Sequence, residues 1–351
     1  PHQHNITLSC HTLPYRIPPI RGIEQNATTA SAPSNVDLET IIIGVLSSAS
    51  GEGPIRRKSI RETWAANHSV YFLVAGPWED IEEEYNTHQD LIWINEDEVY
   101  DGEKSVLTYK TMAFVKIVHD LASKYNNDDS TGNQGDNTKN IKYAFKTDDD
   151  SYIHVKNLHQ YLLEREHEPY DYWGWCQRKF FKPLRGENDK WAISYDMYPE
   201  PMYPRYCQGA GFVLSLDFIN CAASDYDHHH NEEHDHNHIA DARFMPFEDV
   251  AMGLIAQRCG VVPTMTEDPR LIHMYRTDRE EETWRVNKGM KKIDKSKIPI
   301  PDMKGRIVQH RIYDVWDMGE HHKSVLDPDG YKDKTEFKWS VEEEEGEEEE
   351  E

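Results

Sequence analysis

The residues best suited to chemistry are Asp148, Asp149 and Asp150, consecutive carboxylates within Lys146-Thr147-Asp148-Asp149-Asp150-Ser151. Ionised together they repel one another, and a cation or solvent has to relieve that repulsion. All-oxygen ligands suit hard divalent ions such as Mg²⁺ or Mn²⁺, which bind one or two carboxylates plus substrate phosphates. A solvated acidic turn or helix start is the competing reading, since Asp favours turns and N-caps. An EF-hand is excluded. With Asp148 first, the sixth position is Ile153 and the twelfth His159, where Gly and Glu are required.

Other segments carry weaker signals of the same kind. Arg57 and Arg61 lie on a basic helix after the apolar strand Thr40 to Ser47. Open α/β sheets bind ligands at such strand ends, and a guanidinium fork suits a diphosphate as well as an ordinary helix surface. Tyr203 to Ser215 alternates aromatics and Gly ahead of an apolar strand. That pattern fits sugar rings or a turn between core strands. Glu248 and Asp249 open a helix, where they complement its dipole or include a general base. Six His between Asp225 and His238 repeat no ligand spacing and read as a low-complexity loop.

The elements that must position these residues run β-α-β-α-β-α-β up to the acidic triplet, which favours a mostly parallel, helix-covered sheet. The strands are Thr40 to Ser47, Val70 to Ala75, Leu91 to Ile94 and Ile141 to Phe145. Helices are expected from Trp78 to Gln89, Ser105 to Tyr125 and Val155 to Glu166. Residues 1–38 read as a flexible stem, 39–320 as one catalytic domain with loop insertions at 126–140 and 225–238, and 321–351 as a disordered acidic tail.

Composition bounds the function. The 351 residues carry a formal charge of −25. Nine of the last ten are Glu, and without them the charge is −16, which argues against nucleic acid as a partner. No run approaches the roughly 20 apolar residues of a membrane span. The five cysteines (Cys10, Cys176, Cys207, Cys221 and Cys259) include no CxxC. Sequons begin at Asn5, Asn26 and Asn67 and lean toward a secretory compartment.

Read in order, the chain contains Arg57-x-x-Ile60-Arg61-x-Thr63-Trp64, Leu107-Thr108-x-Lys110-Thr111, the acidic triplet, Lys190-Trp191, Tyr203-Pro204-x-Tyr206-Cys207-x-Gly209-x-Gly211 and Glu248-Asp249-Val250-x-x-Gly253. Spanning residues 40–316, this series resembles the β1,3-galactosyltransferase family (glycosyltransferase family 31), which also contains β1,3-N-acetylglucosaminyltransferases. The resemblance implies a GT-A fold, a UDP-sugar donor, Mn²⁺ (or Mg²⁺) and inversion at the anomeric carbon. It also implies a Golgi-lumenal catalytic domain of type II topology, with a membrane anchor upstream of residue 1. Asp148-Asp149-Asp150 becomes the DxD element, with Asp150 ligating metal and Asp148 and Asp149 holding ribose or sugar hydroxyls.

Carried over likewise, Asp249 is the catalytic base, Arg57, Arg61 and Lys110 border the nucleotide, and His310 completes the metal site with His273 in reserve. A disulfide between Cys207 and Cys259 is implied, because Cys259 lies one turn past the family's usual helix position, here Ile255. Val106 replaces the Asn usual before Leu107-Thr108. The expected activity is transfer of Gal or GlcNAc to a hydroxyl of a glycan acceptor on glycoprotein or glycolipid, in β1,3 linkage. The alternative is a catalytically weak sugar-binding or complex-forming member of the same fold. Metal-dependent phosphoester hydrolysis needs further ligands that the sequence does not show.

Overall fold

The computed structural model describes residues 15–16, 40–66, 68, 70–100, 105–126, 141–164, 171–177, 180–186, 191–231, 245–265, 273–274, 307–310, 312 and 315–326. At its centre lies β2 (Ile41–Leu46), six residues buried on both faces. Period-2 alternation sends Ile41, Ile43 and Val45 into one core layer and Ile42 and Leu46 into the other, so the strand needs apolar residues throughout. Parallel neighbours are β3 (Val70–Ala75), itself beside β4 (Leu91–Ile94), and β5 (Tyr143–Asp148).

The sheet has eight strands, in the order β1-β4-β3-β2-β5-β8-β7-β9. β1 (Tyr15–Arg16) adds antiparallel to β4. β8 (Cys207–Ser215) runs antiparallel to both β5 and β7 (Tyr172–Cys176), and β9 (Thr264–Met265) runs parallel to β7. The expected α/β architecture with a mostly parallel, helix-covered sheet is therefore present: pairing is parallel from β4 through β5, antiparallel at the β1 edge and mixed beyond β5.

One core layer contains residues of α3 (Leu107–Tyr125), α5 (Leu216–Asn231) and α6 (Glu248–Arg258). The opposite layer contains residues of α1 (Gly53–Glu62), α2 (Trp78–His88), α4 (Val155–Glu164) and α7 (Val315–Leu326). A second sheet joins β10 (His273–Met274), β11 (Val308–His310) and β6 (Ser151–Ile153).

Several expectations are corrected here. Of the loop expected at 225–238, residues 225–231 are instead helix, because α5 continues to Asn231 and its Asp225 receives the Arg258 guanidinium of α6 at 2.7 Å, and 232–238 lie outside the described residues. The tail expected from 321 starts with helix: α7 runs to Leu326, His321 and Ser324 are buried, and Met318 sits in the core. Cys207 is bonded to Cys176, its cross-strand partner on β7, instead of to Cys259. Cys259, at the C-cap of α6, faces α5 and is bonded to Cys221 with Cα atoms 6.1 Å apart. The sequons at Asn5, Asn26 and Asn67 lie outside the described residues.

Arg57 and Arg61 tie α1 to α2 and to the sheet ends after β2 and before β4, and neither lines the cavity described below. Arg57 is fully buried and donates to Glu84, to Ser47 Oγ at 2.9 Å and to the Ser48 carbonyl. Arg61 forks onto Asp90, with both contacts at 2.8 Å, and meets Glu84 at 2.7 Å. Removing one partner from such a buried pair typically costs about 3–5 kcal/mol. Arg57→Met is expected to lower the unfolding free energy in urea by about that amount. A melt identical to the unsubstituted protein would return Arg57 to the ligand-binding reading.

Candidate active site

Lys146 and Asp148 are two residues apart on β5 and so share a face, the one covered by α6. The Lys146 ammonium is fully buried. It donates to Asp148 Oδ1 at 2.7 Å, to the Gly209 carbonyl at 2.8 Å and to Glu248 Oε1 at 2.9 Å. All three of its protons are therefore placed, and its pKa is raised: burial opposes the charge, and the two carboxylates more than compensate. A Cβ at Gly209 would stand 2.0 Å from Glu248 Oε1, so the clamp closes only around a glycine. Burial raises the Asp148 carboxyl to about 6 against the pull of Lys146.

After Asp148 the chain turns through Asp149 and Asp150 into β6, which separates the three carboxylates. Asp149 swings to the β2 side, accepting from Ser47 Oγ at 2.8 Å and from Arg56 Nη1 at 3.0 Å. Asp150 is held where β11 pairs with β6. His310 lies opposite Ser151, and the Ile312 N–H donates to the Asp150 carbonyl at 2.7 Å. His310 Nδ1 consequently sits 3.2 Å from Asp150 Oδ1 and 3.1 Å from Ser151 Oγ. Burial would raise Asp150, but His310 and Arg56 outweigh it and hold the carboxyl below its ordinary range.

Asp148, Asp150 and His310 each offer a ligand atom, all within 4.8 Å of one another. Asp150 Oδ1 is buried with no hydrogen bond among the described residues, since the His310 nitrogen approaches at ion-pair distance without hydrogen-bond geometry. A buried, underused carboxylate oxygen beside a second carboxylate and an imidazole fits a divalent cation of the Mn²⁺ type. His310 is thus with the acidic cluster. His273 is the strand neighbour of Gln309 across β10 and β11.

Asp249 stands in the first turn of α6, where the Val250 N–H donates to its Oδ1 at 2.8 Å. Gly253, one turn on, lets this helix rest against the segment that leads into β8. A Cβ there would meet the Arg205 carbonyl at 2.6 Å and Tyr206 Cβ at 2.9 Å. Burial pushes Asp249 up to about 8, Glu248 adds to the shift, and the Val250 N–H and Lys146 oppose it. Asp148 also acts on Asp249; burial raises Tyr203 and Tyr206, Asp249 adds to both shifts, and Arg185 opposes the one at Tyr203.

Asp148, Asp149, Asp150, His310, Glu248 and Asp249 border one cavity of about 800 Å³, within the size range of small-molecule and cofactor sites. Arg56 borders it too, whereas Arg57 and Arg61, next along α1, do not. Lys110 lies beneath the wall, donating to the Ser47 carbonyl and Tyr100 hydroxyl, each at 2.8 Å, and to Glu98; burial lowers it to about 8. It supports the cavity without lining it. The sequence assigns Lys146 no role, and it offers Glu248 a place at the helix dipole or as a general base, not the partnership with Lys146 that the structure shows. The one available signal was a lysine two residues before an acidic triplet on a strand read as buried. Arg56 was passed over for its neighbours because the phase of α1 could not be read from an unbroken basic run.

Residues 134–267 match the family model described as Galactosyltransferase. Lactosylceramide 1,3-N-acetyl-beta-D-glucosaminyltransferase B of Xenopus laevis is 28% identical over 235 residues, covering 64% of this chain and 56% of that protein. Beta-1,3-galactosyltransferase 5 of Homo sapiens is 26% identical over 217 residues, covering 58% of this chain and 59% of that protein. A solved glycosyltransferase involved in glycosylation of the major capsid of PBCV-1 overlaps 80% of this chain and 98% of its own, with a TM-score of 0.36 and 12% identity. The chain spans a little over half the length of the curated relatives it matches. Residues 134–267 are thus similar to the Galactosyltransferase family, and the chain is similar to β1,3-galactosyl- and β1,3-N-acetylglucosaminyltransferases, the resemblance its ordered motifs carry.

Proposed function

We propose that this protein is an inverting β1,3-glycosyltransferase that moves a hexose, Gal or GlcNAc, from a UDP-sugar to a hydroxyl of a glycan acceptor. The observation that carries this reading is the convergence of Asp148, Asp150, His310 and Asp249 on one cavity. Asp148, Asp150 and His310 would hold a divalent cation, which when bound supplies positive charge for the departing diphosphate. Arg56 and Ser47 face the same part of the cavity and orient Asp149 beside it.

Asp249 takes the proton of the acceptor hydroxyl as that oxygen bonds to the anomeric carbon, and the bond from that carbon to the diphosphate oxygen breaks on the opposite face. Attack from opposite the leaving group inverts the centre. Lys146 fixes Glu248, the residue before the base, and thereby sets the start of α6 relative to Asp148. A Golgi-lumenal setting with a membrane anchor preceding residue 1 belongs to the same proposal. Its support is the sequons and the two disulfides, since such bonds persist in oxidising compartments. Among the described residues no helix is long and apolar enough to cross a membrane.

The test is a panel of UDP-sugars and acceptor glycans with Mn²⁺ present, product linkage being read by mass spectrometry and NMR. Asp249→Asn is expected to keep donor affinity while transfer falls by about 10² to 10⁴-fold. Donor binding without transfer in the unsubstituted protein would favour the sugar-binding alternative.

A pH dependence follows from the same carboxyl. Asp249 serves as a base only when ionised, so kcat/KM should rise with pH along a limb ending near pH 8, absent in Asp249→Asn. Its folded pKa lies above the unfolded value, so its contribution to stability is complete below about pH 4 and is lost as pH rises toward 8. With chelator present, Asp249→Asn should gain melting stability over the unsubstituted protein between pH 5 and 8, by at most about 1.4 kcal/mol per pH unit. A difference independent of pH would show that Asp249 titrates like an exposed carboxyl.

A further inference from the structure

Away from the acidic cluster, the cavity rim is aromatic and accessible. Phe181, Leu184 and Trp191 line the cavity and remain 50%, 48% and 53% exposed. Three apolar side chains exposed together on one cavity rim are the kind of patch that marks a ligand groove. This rim is built to hold its shape. The Arg185 guanidinium donates to four carbonyls of the segment after Trp191, those of Ile193, Ser194, Tyr198 and Glu200, at 2.7–3.1 Å. The Ile193 N–H returns to the Leu184 carbonyl at 3.0 Å. Trp191 itself stands edge-to-face with Phe247, two residues before Asp249, with ring centroids 5.7 Å apart.

Beside this platform lies a polar group that has no hydrogen-bond partner among the described residues. Tyr203 is 7% exposed and borders the cavity, and its hydroxyl has no hydrogen bond among the described residues. It is close enough to Asp249 to feel that charge. A buried phenol left unsatisfied is expensive, and the residue is retained where a ligand supplies the missing bond. A lipid chain would cover the indole and leave this hydroxyl unpaired. A pyranose offers an apolar face to the ring and a hydroxyl to the phenol.

Resting on the transferase reading above, we infer that Trp191 and Tyr203 form the acceptor subsite: a hexopyranosyl unit stacks on the Trp191 indole and hydrogen-bonds Tyr203, which presents its reactive hydroxyl to Asp249. The hexopyranose is read whether it belongs to a free or protein-linked glycan or to a glycolipid headgroup.

The test assays the full chain with Mn²⁺ and UDP-galactose or UDP-N-acetylglucosamine against methyl and octyl β-glycosides of galactose, N-acetylglucosamine, N-acetylgalactosamine and lactose. Donor Kd is measured separately by calorimetry. Trp191→Ala and Tyr203→Phe are each expected to raise acceptor KM about tenfold in both the methyl and the octyl series, with donor Kd moved less than about twofold. Tyr203→Phe should melt no lower than the unsubstituted protein, because the lost hydroxyl bonds nothing, so a KM effect there cannot be put down to unfolding.

Unchanged acceptor KM in both variants overturns the inference. So does a shift confined to the octyl series, which would mean that the rim reads lipid. Donor binding by the unsubstituted protein with transfer to none of these sugars overturns it as well. Failure to bind either donor would instead defeat the transferase reading, and the separate calorimetric measurement tells the two failures apart.

Discussion

The buried ammonium of Lys146 is the contact on which the site depends. It joins β5 through Asp148, β8 through the Gly209 carbonyl and α6 through Glu248, so three elements distant in sequence meet at one nitrogen. Without that charge, the buried Glu248 and the half-buried Asp148 would be two carboxylates with no cation between them, a situation proteins avoid by protonation or rearrangement. The clamp also sets a scale for its neighbours. With Gly209 leaving no room for a side chain and Gly253 seating α6 against Tyr206, Asp249 has little freedom to drift from the acidic cluster.

The acidic triplet illustrates how one sequence run serves different purposes. Alternation along β5 keeps Asp148 on the Lys146 face. The turn then gives Asp149 to Ser47 and Arg56, and pairing of β6 with β11 gives Asp150 to His310. Their proton affinities separate accordingly. Burial raises Asp148, whereas the His310 and Arg56 charges hold Asp150 down. Of the three, Asp148 and Asp150 offer oxygens within 4.8 Å of each other and of a His310 nitrogen, and Asp149 is a strut that keeps Arg56 at the cavity wall.

Much of the frame was legible because it follows from local pattern. The unbroken apolar run of β2, the stripe of α3 and the order of alternating elements predicted a helix-covered sheet, and the ordered motifs marked the acidic cluster and the α6 carboxylates. What was not legible depends on rotation and long-range pairing. A basic run does not say which guanidinium turns inward, so Arg57 and Arg61 were read as ligand residues when they are α1 anchors on Glu84 and Asp90. Cysteine spacing does not say which strands are neighbours, and the β7–β8 register joins Cys207 to Cys176. The helical continuations at 225–231 and 321–326 look polar in sequence, because an ion pair to Arg258 and a single packed face with Met318 suffice to hold them.

The central claim is that Asp148, Asp150 and His310 form one cation site serving a sugar-nucleotide. Electron paramagnetic resonance of Mn²⁺ added to chelator-stripped protein tests it most directly. The account predicts that one equivalent loses its free-ion signal, more tightly with UDP-galactose or UDP-N-acetylglucosamine present, and that Asp150→Asn weakens this binding by about tenfold or more. Mn²⁺ that remains free, or binding that survives Asp150→Asn undiminished, would contradict it.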